Sequence, residues 1–265
     1  MVPRIAFLCL LAAGAAHAQR LAPVEIADAV VVETIAIPSP SEFLIAVDKQ
    51  CEPNWSKVAP TPPPANTADR EQLAAQLGMI YTDCHVAIEA GDAQSVRNSV
   101  RDLLAIADKL NIGADPVARL GSIDDLAGNG EWNTLRGELD ALRNDMRLAL
   151  LAQRDDSLLV IASVGSFNRQ IEVASAVVAE NWSPERARIL EVSPIAAHLV
   201  ERLDGLPVKA RSAPFVQKLT EGLSSLHGLM QSWRSGRPEK KSLLEITAIA
   251  EDLSRAAREE PSKGT

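Results

Sequence analysis

The sequence predicts an all-α protein, an antiparallel helical bundle of about five long helices plus short ones, with an extended N-terminal arm. Three observations carry this. Apolar residues recur at alternating spacings of 3 and 4 over most of the chain, the signature of helices packed along a seam. The composition is rich in Ala and Leu and holds one Tyr, four Phe and four Trp, which favours helix over sheet. Ser, Asp, Pro and Gly punctuate the periodic stretches where helices start and stop.

The chain begins with Arg4, an unbroken apolar run from Ile5 to Ala16, and Ala16-His17-Ala18. These are the three parts of a secretory signal peptide, so residues 1–18 are expected to be removed after Ala18. The run is too short to span a membrane, and Cys9 lies inside it rather than behind it, so lipid attachment is disfavoured. The mature protein is therefore expected in the periplasm or outside the cell, with no further membrane span. Losing residues 1–18 removes one basic residue, Arg4, and no acid, which takes the net charge from −8 to −9. Such a surface repels nucleic acid and anionic headgroups. The basic cluster Arg234, Arg237, Lys240 and Lys241 reads as a solvated loop between helices.

Residues 19–66 form the expected arm. Val24-Glu25-Ile26 and Ala29-Val30-Val31-Val32 suit either strand or buried helix. Ser39, Pro40 and Glu42 make a capping box with proline in the first helical position, opening a short helix to about Gln50. A Pro-rich strap, Ala59–Ala65, follows. Export exposes Cys51 and Cys84 to oxidation, so a disulfide between them is expected, closing a loop of about 34 residues and pinning the arm. The alternatives are free thiols, or a metal shared with His85, which as the neighbour of Cys84 points about 100° away on a helix.

Residues 67–260 form the expected bundle, with 261–265 a polar tail. A helix from near Thr67 carries the seam Leu73, Leu77, Ile80, Cys84 and Ala87. Gly91-Asp92 joins it, with Asp92 as N-cap, to a second helix with Val96, Val100, Leu103, Ala107 and Leu110, stopping at Gly113. Residues 114–130 read as a connection with a helical turn or two. Gly128-Asn129-Gly130 lacks the strand and the Lys-Ser/Thr of a phosphate loop, and Asn129 is expected to cap the next helix.

From Trp132 the seam runs through Leu135, Leu139, Leu142, Met146 and Ala149. After the polar stretch Gln153–Ser157 it resumes in phase at Val160, Val164, Phe167, Ile171, Ala174 and Val178. Kept phase favours one continuous helix with a polar belt over a break. Leu158–Ala162 is apolar all round and Gly165 allows close backbone approach, which makes this half central to the bundle. Ser183-Pro184 and Ser193-Pro194 start short helices, and Gly205-Leu206-Pro207 stops the second. Phe215, Leu219, Leu223, Leu226, Met230 and Trp233 give the next seam, and Leu243, Ile246, Ala250, Leu253 and Ala257 the last. No repeat of solenoid length is present.

The chemistry is sparse. The histidines after the leader are His85, His198 and His227, without the Glu-x-x-His pairs of a di-iron bundle or a Cys-x-x-Cys-His haem motif. No metal or cofactor is expected. Glu191, His198 and Glu201 share a helical face but lack further ligands. There is no Gly-x-Ser-x-Gly turn, and Asp124-Asp125 and Asp155-Asp156 diverge as neighbours, so a catalytic role is disfavoured. The candidate polar site is Gln153, Arg154 and Asp155 on the belt, with Arg169 and Glu172 about four turns further on, where charges in an apolar helix must be paired. By elimination the expected function is a non-catalytic, exported interaction or structural protein with a protein partner. The alternative is a small-molecule or metal-binding bundle using that polar site.

Overall fold

A computed structural model describes residues 37–58, 60, 64, 67–113 and 119–259, all within the unit Ile35–Thr265. The leader, residues 19–36 of the arm, most of the Pro-rich strap, the connection 114–118 and the tail from residue 260 lie outside them. The described chain is an all-α bundle of several long helices with shorter ones, without a strand among these residues. No described helix is long and apolar enough to cross a membrane.

Helix α1 (Pro40–Cys51) opens on the expected capping box. The Glu42 amide donates to Ser39 Oγ at 3.2 Å and the Ser39 amide donates to Glu42 Oε2 at 2.8 Å. After a 3₁₀ turn, Trp55–Lys57, and an Asp69 cap comes α2 (Arg70–Glu89), followed by α3 (Ala93–Lys109) with Asp92 as its cap. The left-handed residue after α3 is Asn111 at φ 57°, not Gly113, because an Asn side chain tolerates that conformation. Residues 120–129 form a full helix, α4 (Leu120–Asn129), longer than the turn or two expected. It ends on Gly130 at φ 71°, and Glu131 rather than Asn129 flanks the next helix.

The long seam from Trp132 is broken. Helix α5 (Trp132–Ala152) ends at Gln153, Arg154 turns left-handed at φ 59°, and α6 (Asp156–Glu180) starts afresh. The amides of Arg154 and Asp155 donate back to the carbonyls of Leu151 and Leu150, closing the end of α5 as a Schellman-type turn. The bundle thus has one more long helix than the phase argument gives. The remaining elements are α7 (Pro184–Ala187), a 3₁₀ turn (Arg188–Leu190), α8 (Ser193–Asp204), α9 (Val208–Arg211), α10 (Pro214–Ser235) and α11 (Lys240–Ala256).

Helix α2 is the axis of the bundle: every residue from Gln72 to Ile88 is buried. It packs most closely on α6, with α3, α1 and α5 around it, while α11 covers α6 and packs on α10, which in turn packs on α8. The α2–α6 contact is backbone on backbone. A Cβ at Gly165 would lie 2.8 Å from Ala75 Cα, and one at Gly78 would lie 2.7 Å from Ser166 N. Only glycine fits at either place. Thr82 and Ser166 hydroxyls share a hydrogen bond of 3.0 Å across the same seam.

The expected disulfide is absent. Cys51 and Cys84 are free thiols, 2% and 0% exposed. Each fills core volume as a small apolar side chain, the commonest use of a buried cysteine. Burial pushes both thiols up, with Arg186 opposing at Cys51 and the Asp83 charge adding to the effect at Cys84. Both therefore stay protonated and unreactive. The residues before the strap are held instead by packing of α1 on α6 and α2, by Trp55 in the core, and by Gln50 Nε2 donating to Glu185 O at 2.7 Å.

Candidate functional site

The break after α5 separates the polar residues that the sequence groups together. Gln153 Nε2 donates to Asn111 O at 2.6 Å, and Asp155 pairs with Arg70 at 2.7 Å. Both tie the α5–α6 turn to neighbouring elements. Arg169 and Glu172 stand about 20 Å further along α6, at 1.5 Å per residue. There they belong to a different cluster. Arg169 Nε donates to Asp83 Oδ1 at 2.8 Å and Nη1 lies 3.0 Å from Glu172 Oε1. The Arg169 and Asp83 side chains are 6% and 3% exposed. Burial works against the Arg169 charge, but Asp83 and Glu172 more than offset it and raise its pKa. Ser254 Oγ donates to Glu172 Oε2 at 2.6 Å, and Asn168 Nδ2 donates to Ser254 Oγ at 2.9 Å, so the network fastens α11 to α6 and α2. Its buried charges are paired with one another, which is the arrangement of a register-fixing ion pair.

His85 lies in the same central helix, 0% exposed, with its ring edge-on to Tyr81 at 5.0 Å. Neither ring nitrogen has a hydrogen-bond partner among the described residues. Burial, together with the Arg136 and Arg143 charges, pushes its pKa down to about 3. The unfolded chain takes up this proton near pH 6.5 and the native protein refuses it until about pH 3. Stability is therefore expected to fall as pH drops through that window, by up to about 1.4 kcal/mol per pH unit. Urea unfolding between pH 6.5 and 5, above the carboxylate range, reads this directly, and His85→Leu is expected to flatten the dependence there.

What the sequence did not reveal is a cleft of about 620 Å³ bounded by α2, α5, α6 and α8. Its walls and floor include Leu77, Met146, Leu150, Leu159, Val160 and Leu199. All but the half-buried Leu159 are buried. The Tyr81 ring lies in the floor, its hydroxyl donating to Asp140 Oδ1 at 2.8 Å. Its charged lining is mainly arginine: Arg143, Arg147 and Arg202, all exposed, stand against Asp156, and the half-buried His198 lies beside them. Their helices place these side chains in pairs four residues apart, Arg143 with Arg147 on α5 and His198 with Arg202 on α8. That spacing is legible in the sequence, but only the fold turns both faces into one cleft. Of the residues read as candidate ligands, His198 thus stands on a cleft wall, and no group of three or more His, Cys, Asp or Glu able to hold a metal gathers among the described residues. Comparison with models of known protein families, with curated proteins and with solved structures finds no significant match.

Proposed function

We propose that the protein is an exported, non-catalytic helical bundle that binds a small molecule with a largely apolar body in the cleft between α2, α5, α6 and α8. The observation that carries this is the cleft itself: about 620 Å³, inside the range of about 300–1,000 Å³ typical of ligand sites, with a floor of buried aliphatic side chains. The leader-like first eighteen residues support action outside the cytoplasm. Large apolar side chains exposed among the described residues are Ile37, Leu148, Leu151, Val208 and Leu244. Two of them, Ile37 and Leu151, line the cleft, which favours the ligand over a separate docking face.

Ser163 provides the test, because it is exposed, lines the cleft, and hydrogen-bonds only within α6, to Leu159 O at 2.9 Å. Ser163→Trp adds an indole to the cleft without removing any core contact. The neutral dye Nile red is expected to bind the parent with a fluorescence rise, and Ser163→Trp to weaken that binding at least tenfold with an unchanged circular dichroism spectrum. Equal dye binding by the two proteins would place the site elsewhere.

A further inference from the structure

We infer that the cleft takes a single-chain amphiphile with an anionic head, such as a fatty-acid-like carboxylate; this rests on the cleft being a binding site and specifies what it selects. The chain as a whole is acidic, with a net charge of −8. Yet its cleft is lined by three arginines and a histidine against a single carboxylate, Asp156. Like charges four apart on a helix disfavour it, so the Arg143–Arg147 pair is a local cost without an internal return. Arg143 is held 5.7 Å above the Tyr81 ring, and Arg147 Nη2 donates to Asn144 Oδ1 at 3.0 Å. Both partners are themselves cleft residues, so both guanidiniums are tied to the cleft lining.

Among the described residues, none of Arg143, Arg147 and Arg202 makes an ion pair. Arg70, Arg97, Arg101, Arg119, Arg136, Arg169, Arg188 and Arg255 do, and of the described arginines that do not, only these three line the cleft. Forked donors at the opening above an aliphatic floor match a molecule with a carboxylate at one end and a hydrocarbon body. The acidic remainder of the surface disfavours extended polyanions, and the cleft volume suits one chain rather than a bilayer patch.

The experiment uses the full-length chain at low ionic strength, where exposed charges are least screened. Dodecanoate and dodecanol, of equal chain length, compete for bound Nile red. Dodecanoate is expected to displace the dye at a concentration at least tenfold lower than dodecanol. The triple variant Arg143→Gln, Arg147→Gln, Arg202→Gln is expected to erase that difference while retaining Nile red binding and the parent's circular dichroism. Equal competition by the two ligands, or a preference that survives the triple substitution, overturns the inference while leaving the cleft reading intact. Absence of Nile red binding by the parent overturns both. Arginine-dependent sedimentation with phosphatidylglycerol vesicles, without a dodecanoate preference, assigns the arginines to a membrane surface and likewise overturns it.

Discussion

Gly78→Ala is expected to be the most damaging single-methyl addition in this protein. The new Cβ would overlap the Ala162 carbonyl oxygen and lie 2.7 Å from Ser166 N. Both are backbone atoms inside α6, so no side chain can rotate away, and α2 and α6 must part along their whole contact. Alanine in place of glycine ordinarily favours a helix by about 1 kcal/mol. Here overpacking wins, with a net loss expected at about 3 kcal/mol or more. Gly137→Ala is the matched control: it lies within α5, and a Cβ there meets nothing within 4 Å. It is expected to raise stability by about 0.5–1 kcal/mol. Urea unfolding of both variants tests the pair, and the same sign for the two would refute the backbone-contact account.

Arg169→Met is expected to cost about 3–5 kcal/mol, because it leaves the Asp83 carboxylate in the core without its guanidinium. With Asp83 only 3% exposed, solvent cannot take over that role. Arg169→Met combined with Asp83→Leu removes the buried pair and leaves Glu172, 19% exposed and held by the Ser254 hydroxyl, so it is expected to recover part of the loss. Thermal or urea unfolding of the two single variants and the double gives the coupling directly. A double variant no better than Arg169→Met alone would show that the residues serve packing rather than each other's charge.

Much of this architecture was legible in the sequence, and the failures have physical causes. The caps at Ser39, Asp92 and Ser183 act where local chemistry places them, each accepting from a backbone amide three residues on. Seam positions such as Val96, Leu139, Leu226 and Ile246 are all at 0% exposure, because a 3 and 4 spacing has one buried face whatever the partner. The continuity of α5 and α6 was misjudged because phase is kept by chance when the break is a three-residue turn. Periodicity also undersold α2, whose Gln72, Gln76, Asp83 and His85 lie off the apolar seam and are buried all the same. The cysteines misled because an oxidising compartment permits a bridge without bringing two sulfurs together. The candidate polar residues split between two places because distance along a chain says little about which neighbours a helix face meets. The cleft stayed hidden for the same reason: it closes only when α2 and α8, far off in sequence, are set against the neighbouring α5 and α6.

One seam joins the two ends of the bundle. Gln72 Nε2 donates to the carbonyls of Ala256 and Glu259 at 2.9 and 2.7 Å, and Gln76 Nε2 donates to Ala257 O at 2.8 Å, across 181–187 residues of chain. These carboxamides serve as the C-terminal clasp of α11, taking up carbonyls that a helix end leaves without a partner. The clasp closes only when α11 docks, because its carbonyls stand 181–187 residues along the chain from the glutamines of α2. Fastening this end of the bundle is thus a long-range step, one that the amino-terminal helices cannot take by themselves.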